Sequence, residues 1–306
     1  MQHICLQSPT PEDGFSYKRV CYYTNWSQYR RGAGRFVPEN IDPFLCTHIN
    51  YAFATMRNHR LVPYEANDES SGNMKGMYER VNDLKKKNPN LKTLISVGGW
   101  NFGTLKMTAM LKTQANMNIF TQTSIKFLRD RNFDGLDLDF EYPGSRGSPR
   151  TDKHKFTVLL ITLKKAFTAE AKRTGKPRLL LTAAVSAGKT TIDAGYEVKA
   201  ISRYLDFINL MSYDLHGGWE IKTGFNAPLY SRRNEAAWQK ELNLAWAANY
   251  WVSKGCPSRK LVVGMATYGR AFKLRNPANN GVGVRLRERH LSGLSQESRA
   301  STLITR

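Results

Sequence analysis

Phe133-Asp-Gly-Leu-Asp-Leu-Asp-Phe-Glu141-Tyr-Pro143 alternates apolar and acidic residues with a period of two. That period belongs to a β-strand, whose successive side chains point to opposite faces. The reading predicts Asp137, Asp139 and Glu141 on one face and Leu136, Leu138 and Phe140 on the other. Three carboxylates in one row repel each other, and a protein that keeps such a row uses the repulsion to shift a pKa. A calcium loop would need oxygen ligands on an irregular, Gly-bent segment. A solvated edge strand would not carry Leu, Leu and Phe opposite the acids. The row is therefore read as a general acid primed by neighbouring carboxylates. Glu141 closes the strand at its C-terminal end, where parallel α/β barrels place their active sites.

Outward from this strand, β-rich apolar runs recur at Val20–Trp26, His48–Ala54, Thr93–Gly98, Leu179–Val185, Phe207–Tyr213 and Leu261–Ala266. Several are nearly continuous in Leu, Ile and Val, as expected of strands covered on both faces. Helical periods lie between them. Phe156, Leu159, Leu160, Leu163 and Phe167 share one face, and Glu235–Lys254 reads as a second helix. This alternation predicts βα units and a parallel sheet. Seven strands with polar residues at several ends favour an α/β (β/α)8 TIM barrel over a doubly wound sheet. No GxGxxG or P-loop follows any strand, against a nucleotide-binding fold. The 306 residues, 41% of them hydrophobic, suffice for a sizeable core, as one large barrel or two smaller domains. After Val284 the pattern stops, and Arg285–Arg306 is expected to be a disordered tail. The expected organisation is an extension over 1–17, a barrel over 18–284 truncated after its seventh strand, and a divergent tail over 285–306.

The net charge of +21 favours anionic partners in general and solubility. The longest basic run, Lys85-Lys86-Lys87, ends an expected helix, and no basic stripe is interleaved with aromatics, so no nucleic-acid partner is expected. No apolar run reaches membrane-spanning length, so no membrane partner is expected either. Met1–Tyr17 holds no Lys or Arg and no apolar core, so no signal peptide is visible. The six histidines show no HExxH and no ligand spacing, so no metal is expected. Cys5, Cys21, Cys46 and Cys256 fit neither a zinc site nor a CxxC redox motif.

Asp134-x-x-Asp137-x-Asp139-x-Glu141 resembles the DxxDxDxE signature of glycoside hydrolase family 18, the chitinases. Tyr142-Pro143-Gly144-Ser145 is similar to the animal secreted chitinases, the acidic mammalian chitinase and chitotriosidase group. Further matches are Cys21-Tyr-Tyr-Thr-Asn-Trp26, Tyr51-Ala-Phe-Ala54, Ser96-Val-Gly-Gly-Trp100-Asn-Phe-Gly103, Met211-Ser-Tyr213-Asp214-Leu-His-Gly217 and Thr267-Tyr268-Gly269-Arg270. They run in order from about Tyr17 to Val284.

The resemblance implies hydrolysis of β-1,4 bonds in N-acetylglucosamine polymers, with retention and without a cofactor. Most retaining glycosidases use a second carboxylate about 5 Å from the acid as nucleophile; in this family the substrate's own acetamido oxygen attacks instead. Glu141 is then the general acid and base, Asp139 orients the acetamido group, and Asp137 holds Asp139 and shares a proton with it. Tyr213 donates to the acetamido oxygen and Asp214 helps bind the sugar. Asp134, out of phase with the row, is expected to stabilise the strand start.

Trp26, Trp100 and Trp219 are expected to stack on sugar rings, the alternative for each being an ordinary core aromatic. Tyr22, Phe53, Gly99, Tyr142, Met211, Tyr268 and Arg270 are expected to line the cleft, although Met211 also suits a core. The resemblance pairs Cys21 with Cys46 as a disulfide, which needs an oxidising compartment and implies an extracellular protein. Asn25-Trp26-Ser27 is a formal glycosylation sequon at the expected site floor, where a glycan would not fit. The implied partners are chitin or chito-oligosaccharides, met by a monomer.

Members of this group continue past strand seven with an α+β module and an eighth strand that brings a floor Trp; neither is found here. The tail is read as a frame change, alternative splice or gene-model error. Ala266, Cys256 and Ala227 stand where the group has Pro, Ala and Ser. A chitin-binding lectin on the same fold is the competing reading, and an inactive truncated isoform the third. Lectin relatives typically lose the acid, which is present here as Glu141.

Overall fold

Seven parallel strands form the frame: β1 Val20–Thr24, β2 His48–Arg57, β3 Lys92–Gly98, β4 Gly135–Asp139, β5 Leu180–Ser186, β6 Phe207–Met211 and β7 Leu261–Val263. Each pairs in parallel with the next. The computed structural model describes residues 2–3 and 17–287. The helices follow as α1 Met77–Asn82, α2 Leu84–Lys87, α3 Leu105–Leu111, α4 Gln114–Asp130, α5 Asp152–Thr174, α6 Lys189–Gly195, α7 Val198–Tyr204 and α8 Leu244–Ser253. The result is an incomplete TIM barrel, as the strand spacing predicts.

Two apolar layers follow from the strand period. Ile49, Tyr51, Ile95, Val97, Leu136, Leu138, Leu181 and Ala183 join the helix faces in the larger core. Phe156, Leu159, Leu160, Leu163 and Phe167 of α5 are buried there, on the face that the helical period predicts. Val20, Tyr22, Ala52, Ala184, Phe207 and Val262 form a smaller cluster on the other face of the strands, inside the barrel. Small and polar residues share that interior, and they admit the acidic row.

The expected segments shift in three places. The acidic strand ends at Asp139, so Glu141 stands in a bend beyond it. The helix expected over Glu235–Lys254 begins at Leu244, where the Asn243 side chain accepts from Trp246 N at 2.9 Å. This N-cap fixes the start, and Glu235 instead binds back to Arg232 in a turn. Arg285–Arg287, expected in the tail, pair with the chain: Leu286 N donates to Ile221 O at 2.9 Å and Arg287 N to Lys273 O at 2.8 Å. The rest of that expected tail, and most of the extension, lie outside the described residues.

Among the described residues, β7 pairs only with β6, while Gln2–His3 lies antiparallel on the outer edge of β1. Cys21 of β1 and Cys46, two residues before β2, form a disulfide with 6.1 Å between Cα atoms. Cys256 is free and buried. No helix among the described residues is long and apolar enough to cross a membrane.

Candidate active site

Asp137 is the hub of the barrel interior. Its Oδ2 accepts from Tyr22 OH of β1 and Ser96 Oγ of β3, both at 2.8 Å. Its Oδ1 accepts from Thr182 Oγ1 of β5 at 2.6 Å and Asn209 Nδ2 of β6 at 3.1 Å. Four strands thus converge on one fully buried carboxylate. Burial raises its pKa, and the four donors oppose that rise. Because every lone-pair direction carries a donor, Asp137 is saturated as an acceptor, and no hydrogen bond joins it to Asp139. Its charge adds to the rise of the Asp139 pKa.

Asp139 differs sharply. It is 5% exposed, and its Oδ1 is buried with no hydrogen-bond partner. Burial drives its pKa well above the usual carboxylate range, and the charges of Glu141 and Asp137 add to the rise. Glu141, also buried, is raised first by burial and further by Asp214, against a hydrogen bond with Tyr142 and the charge of Arg146. Tyr213 is pushed well above its usual value by burial and then by the charge of Asp139, which places its hydroxyl in the field of the row.

Backbone approach closes the floor. Gly98 (φ +124°) leaves no room for a side chain, since a Cβ would meet Asp139 O at 1.9 Å. Gly99 (φ +89°) abuts the Phe53 ring, and its N–H donates to Asp139 O at 2.9 Å. Asp134 accepts from Thr93 N at 2.8 Å and Lys85 Nζ at 3.0 Å, tying the start of β4 to β3 as expected.

The aromatic residues separate by exposure. Trp26, Trp100 and Trp219 are 45%, 57% and 55% exposed, whereas Trp251 is fully buried. The first three are therefore not core residues. Trp26 stacks on Phe53 with centroids 6.0 Å apart. The Arg146 guanidinium lies 3.3 Å from the centre of the Trp100 ring and donates to Glu141 O at 2.9 Å. Tyr142 is half-buried against the larger core. On the far side, Asp214 pairs with Arg270 at 2.7 Å, and Arg270 lies over the rings of Trp219 and Tyr268. Tyr268 meets Tyr213 edge to face. Met211 is half-buried against the inner cluster. Tyr22 is buried and donates its hydroxyl to Asp137. Asn25 of the sequon is 1% exposed, which excludes a glycan there.

A strand end that carries buried, pKa-raised carboxylates between exposed tryptophans matches the family suggested by the sequence, and direct comparison decides it. The family model for glycosyl hydrolases family 18 matches residues 18–302. The chain belongs to glycosyl hydrolase family 18. Chitotriosidase-1 of Mus musculus is 53% identical over 271 residues, which are 89% of this chain and 57% of that protein. Human oviduct-specific glycoprotein is 47% identical over 273 residues, 39% of its length. The chain thus spans about half the length of the curated relatives it matches. Among solved structures, a chitinase from Trichuris suis superposes with a TM-score of 0.84 at 40% identity, covering 89% of this chain and 72% of that one. Human YKL-39, a pseudo-chitinase with retained chitooligosaccharide binding, gives 0.82 at 42%, with 89% and 72% covered.

Within this family 18 chain, sequence reasoning missed Ser96, Thr182 and Asn209, each a polar residue with apolar neighbours in a largely apolar strand. It also missed Arg146, which lies in a loop with φ +52°. Asn226 escaped as well; it accepts from Asp214 N and donates to Tyr268 O, both at 2.9 Å, and so joins two expected cleft residues.

Proposed function

We propose that this chain is a chitinase that hydrolyses β-1,4 bonds of chitin or chito-oligosaccharides with retention, by substrate-assisted catalysis. The observation that carries the reading is the buried row at the end of β4, where burial raises both Asp139 and Glu141 from their usual values. A raised pKa lets Glu141 keep its proton to higher pH than an ordinary Glu and deliver it to the glycosidic oxygen. As that C–O bond breaks, the acetamido oxygen of the same sugar bonds to the anomeric carbon. Asp139, whose Oδ1 has no partner, accepts from the acetamido N–H and stabilises the positive ring that forms. Tyr213 donates to the acetamido oxygen. Glu141, now ionised, takes a proton from water, which opens the ring and restores the anomer. Asp137 acts on Asp139 through its charge and its fixed position. Trp26, Trp100 and Trp219 offer flat surfaces to successive sugars, and Asp214 with Arg270 closes one wall. The Cys21–Cys46 disulfide supports action outside the cell. The proposed unit is a monomer.

The test is release of a fluorescent leaving group from a chitobiose glycoside by the wild-type chain and by Glu141→Gln. The variant should lose about 10²–10⁴-fold in kcat. In the wild type kcat/KM should fall as pH rises through a pKa above the usual Glu value, and the residual rate of the variant should lack that limb. Binding of chito-oligosaccharide without turnover by the wild-type chain would instead favour the lectin reading, which the YKL-39 likeness motivates.

A further inference from the structure

The catalytic row occupies the C-terminal ends of the strands, yet positive charge gathers at the opposite end. The lower half of α5 and the end of α7 enclose an open groove of about 360 Å³. Lys164, Lys165 and Lys172 of α5 line it, with Ile161 and Ala169 between them and Tyr204 of α7 opposite. Lys165 and Lys172 are exposed and seven residues apart, so they stand on one helix face about 10 Å apart along the axis. Exposed Arg173 and Arg203 adjoin the groove in sequence.

The acids on this face are already neutralised. Asp206 accepts from Lys164 Nζ at 2.8 Å and from Arg178 Nη2 at 2.6 Å, two cations on one carboxylate. Glu170 is taken by Arg129 in a two-pronged pair at 2.9 and 2.6 Å. Among the described residues, Lys165, Lys172, Arg173 and Arg203 have no ion-pair partner. Unpaired cations in a row along a groove attract a polyanion by counterion release and leave no competing internal acid to displace.

We propose that this groove docks a linear sulfated polysaccharide, which anchors the protein by its basal face and leaves the cleft open to a second chain. The compact ammonium groups suit sulfate as point charges. A single-stranded nucleic acid is the poorer fit, because the groove offers one half-buried Tyr204 and no row of exposed rings on which bases could stack. This proposal does not depend on the hydrolytic reading.

The test measures binding of size-defined heparin oligosaccharides by the full chain, by Lys165→Gln/Lys172→Gln, and by a control that removes equal charge from α2, Lys86→Gln/Lys87→Gln. The groove variant should bind about tenfold more weakly or worse, and its salt slope should fall by roughly two contacts. The control should stay within about twofold of wild type, and binding of chito-oligosaccharide should be unchanged in both variants. Desulfated heparin should not bind. Equal losses in the groove and control variants would overturn the proposal in favour of diffuse attraction. An oligonucleotide of matched charge that competes as well as heparin would overturn it in favour of general polyanion capture.

Discussion

Asp137 and Asp139 sit two residues apart on one strand and face opposite energetic situations. Asp137 has four donors, so Asp137→Ala would leave Tyr22, Ser96, Thr182 and Asn209 without their acceptor. The expected loss is on the order of 3–5 kcal/mol in denaturant unfolding. Asp139 has an unpartnered oxygen and a strongly raised pKa, so its charge opposes folding. The sign follows from linkage. As pH rises from about 3.9, the unfolded chain releases this proton first, and stability is lost until the folded pKa is passed. Asp139→Asn should therefore be more stable than wild type at pH 7, with the gain vanishing near pH 4 and activity impaired. Unfolding curves at both pH values check it; an Asn variant less stable at pH 7 would refute the buried-charge reading. The row was legible because three acids at period two are rare in an apolar strand. The donors around Asp137 were not, because each is a single polar residue 41 to 115 positions away that meets the carboxylate only when the strands curve together.

Strands were more legible than their ends. Apolar runs placed all seven, yet β4 stops at Asp139 and β7 keeps only Leu261–Val263. Strand ends are set by where a neighbour stops offering backbone partners, and no single run of sequence carries that information. The same holds for α8, which an Asn cap starts later than the periodicity suggests. At this scale the Cys21–Cys46 bond matters most, because it ties β1 to the segment entering β2 across a sequence separation of 25. Closing a loop of that size restricts the unfolded chain by about 3–4 kcal/mol at 25 °C. Cys46→Ser should lower unfolding free energy by about that amount, and reductant should abolish the difference between variant and wild type. Equal stability of the two under oxidising conditions would show that the bond contributes little.

At the scale of the whole molecule, the barrel is unequal in strength around its circumference. Each of β2 to β6 has a parallel neighbour on both sides, whereas β7 is three residues long and, among the described residues, pairs on one side only. Between β6 and α8, Trp219, Ile221, Phe225, Leu229, Tyr230 and Trp238 are all more than half exposed, an apolar surface with little packing of its own. Strands with two neighbours and a covered face exchange their amides only on global opening, while weakly packed edges open locally at lower cost. Amide exchange should therefore be slowest in β3, β4 and β5 and faster by orders of magnitude in β7 and over residues 219–238. This places the acidic row on the rigid side and Tyr213, Asp214, Tyr268 and Arg270 on the softer side. If the proposed function holds, a chito-oligosaccharide that spans both must order the softer wall, and ligand linkage returns that order as protection growing with RT ln(1 + [L]/Kd). Saturating ligand should slow exchange around Tyr213–Gly217 and Thr267–Arg270 much more than in β4. Uniform protection of all seven strands without ligand would contradict this division. Equal slowing everywhere on binding would show that the two walls open as one unit.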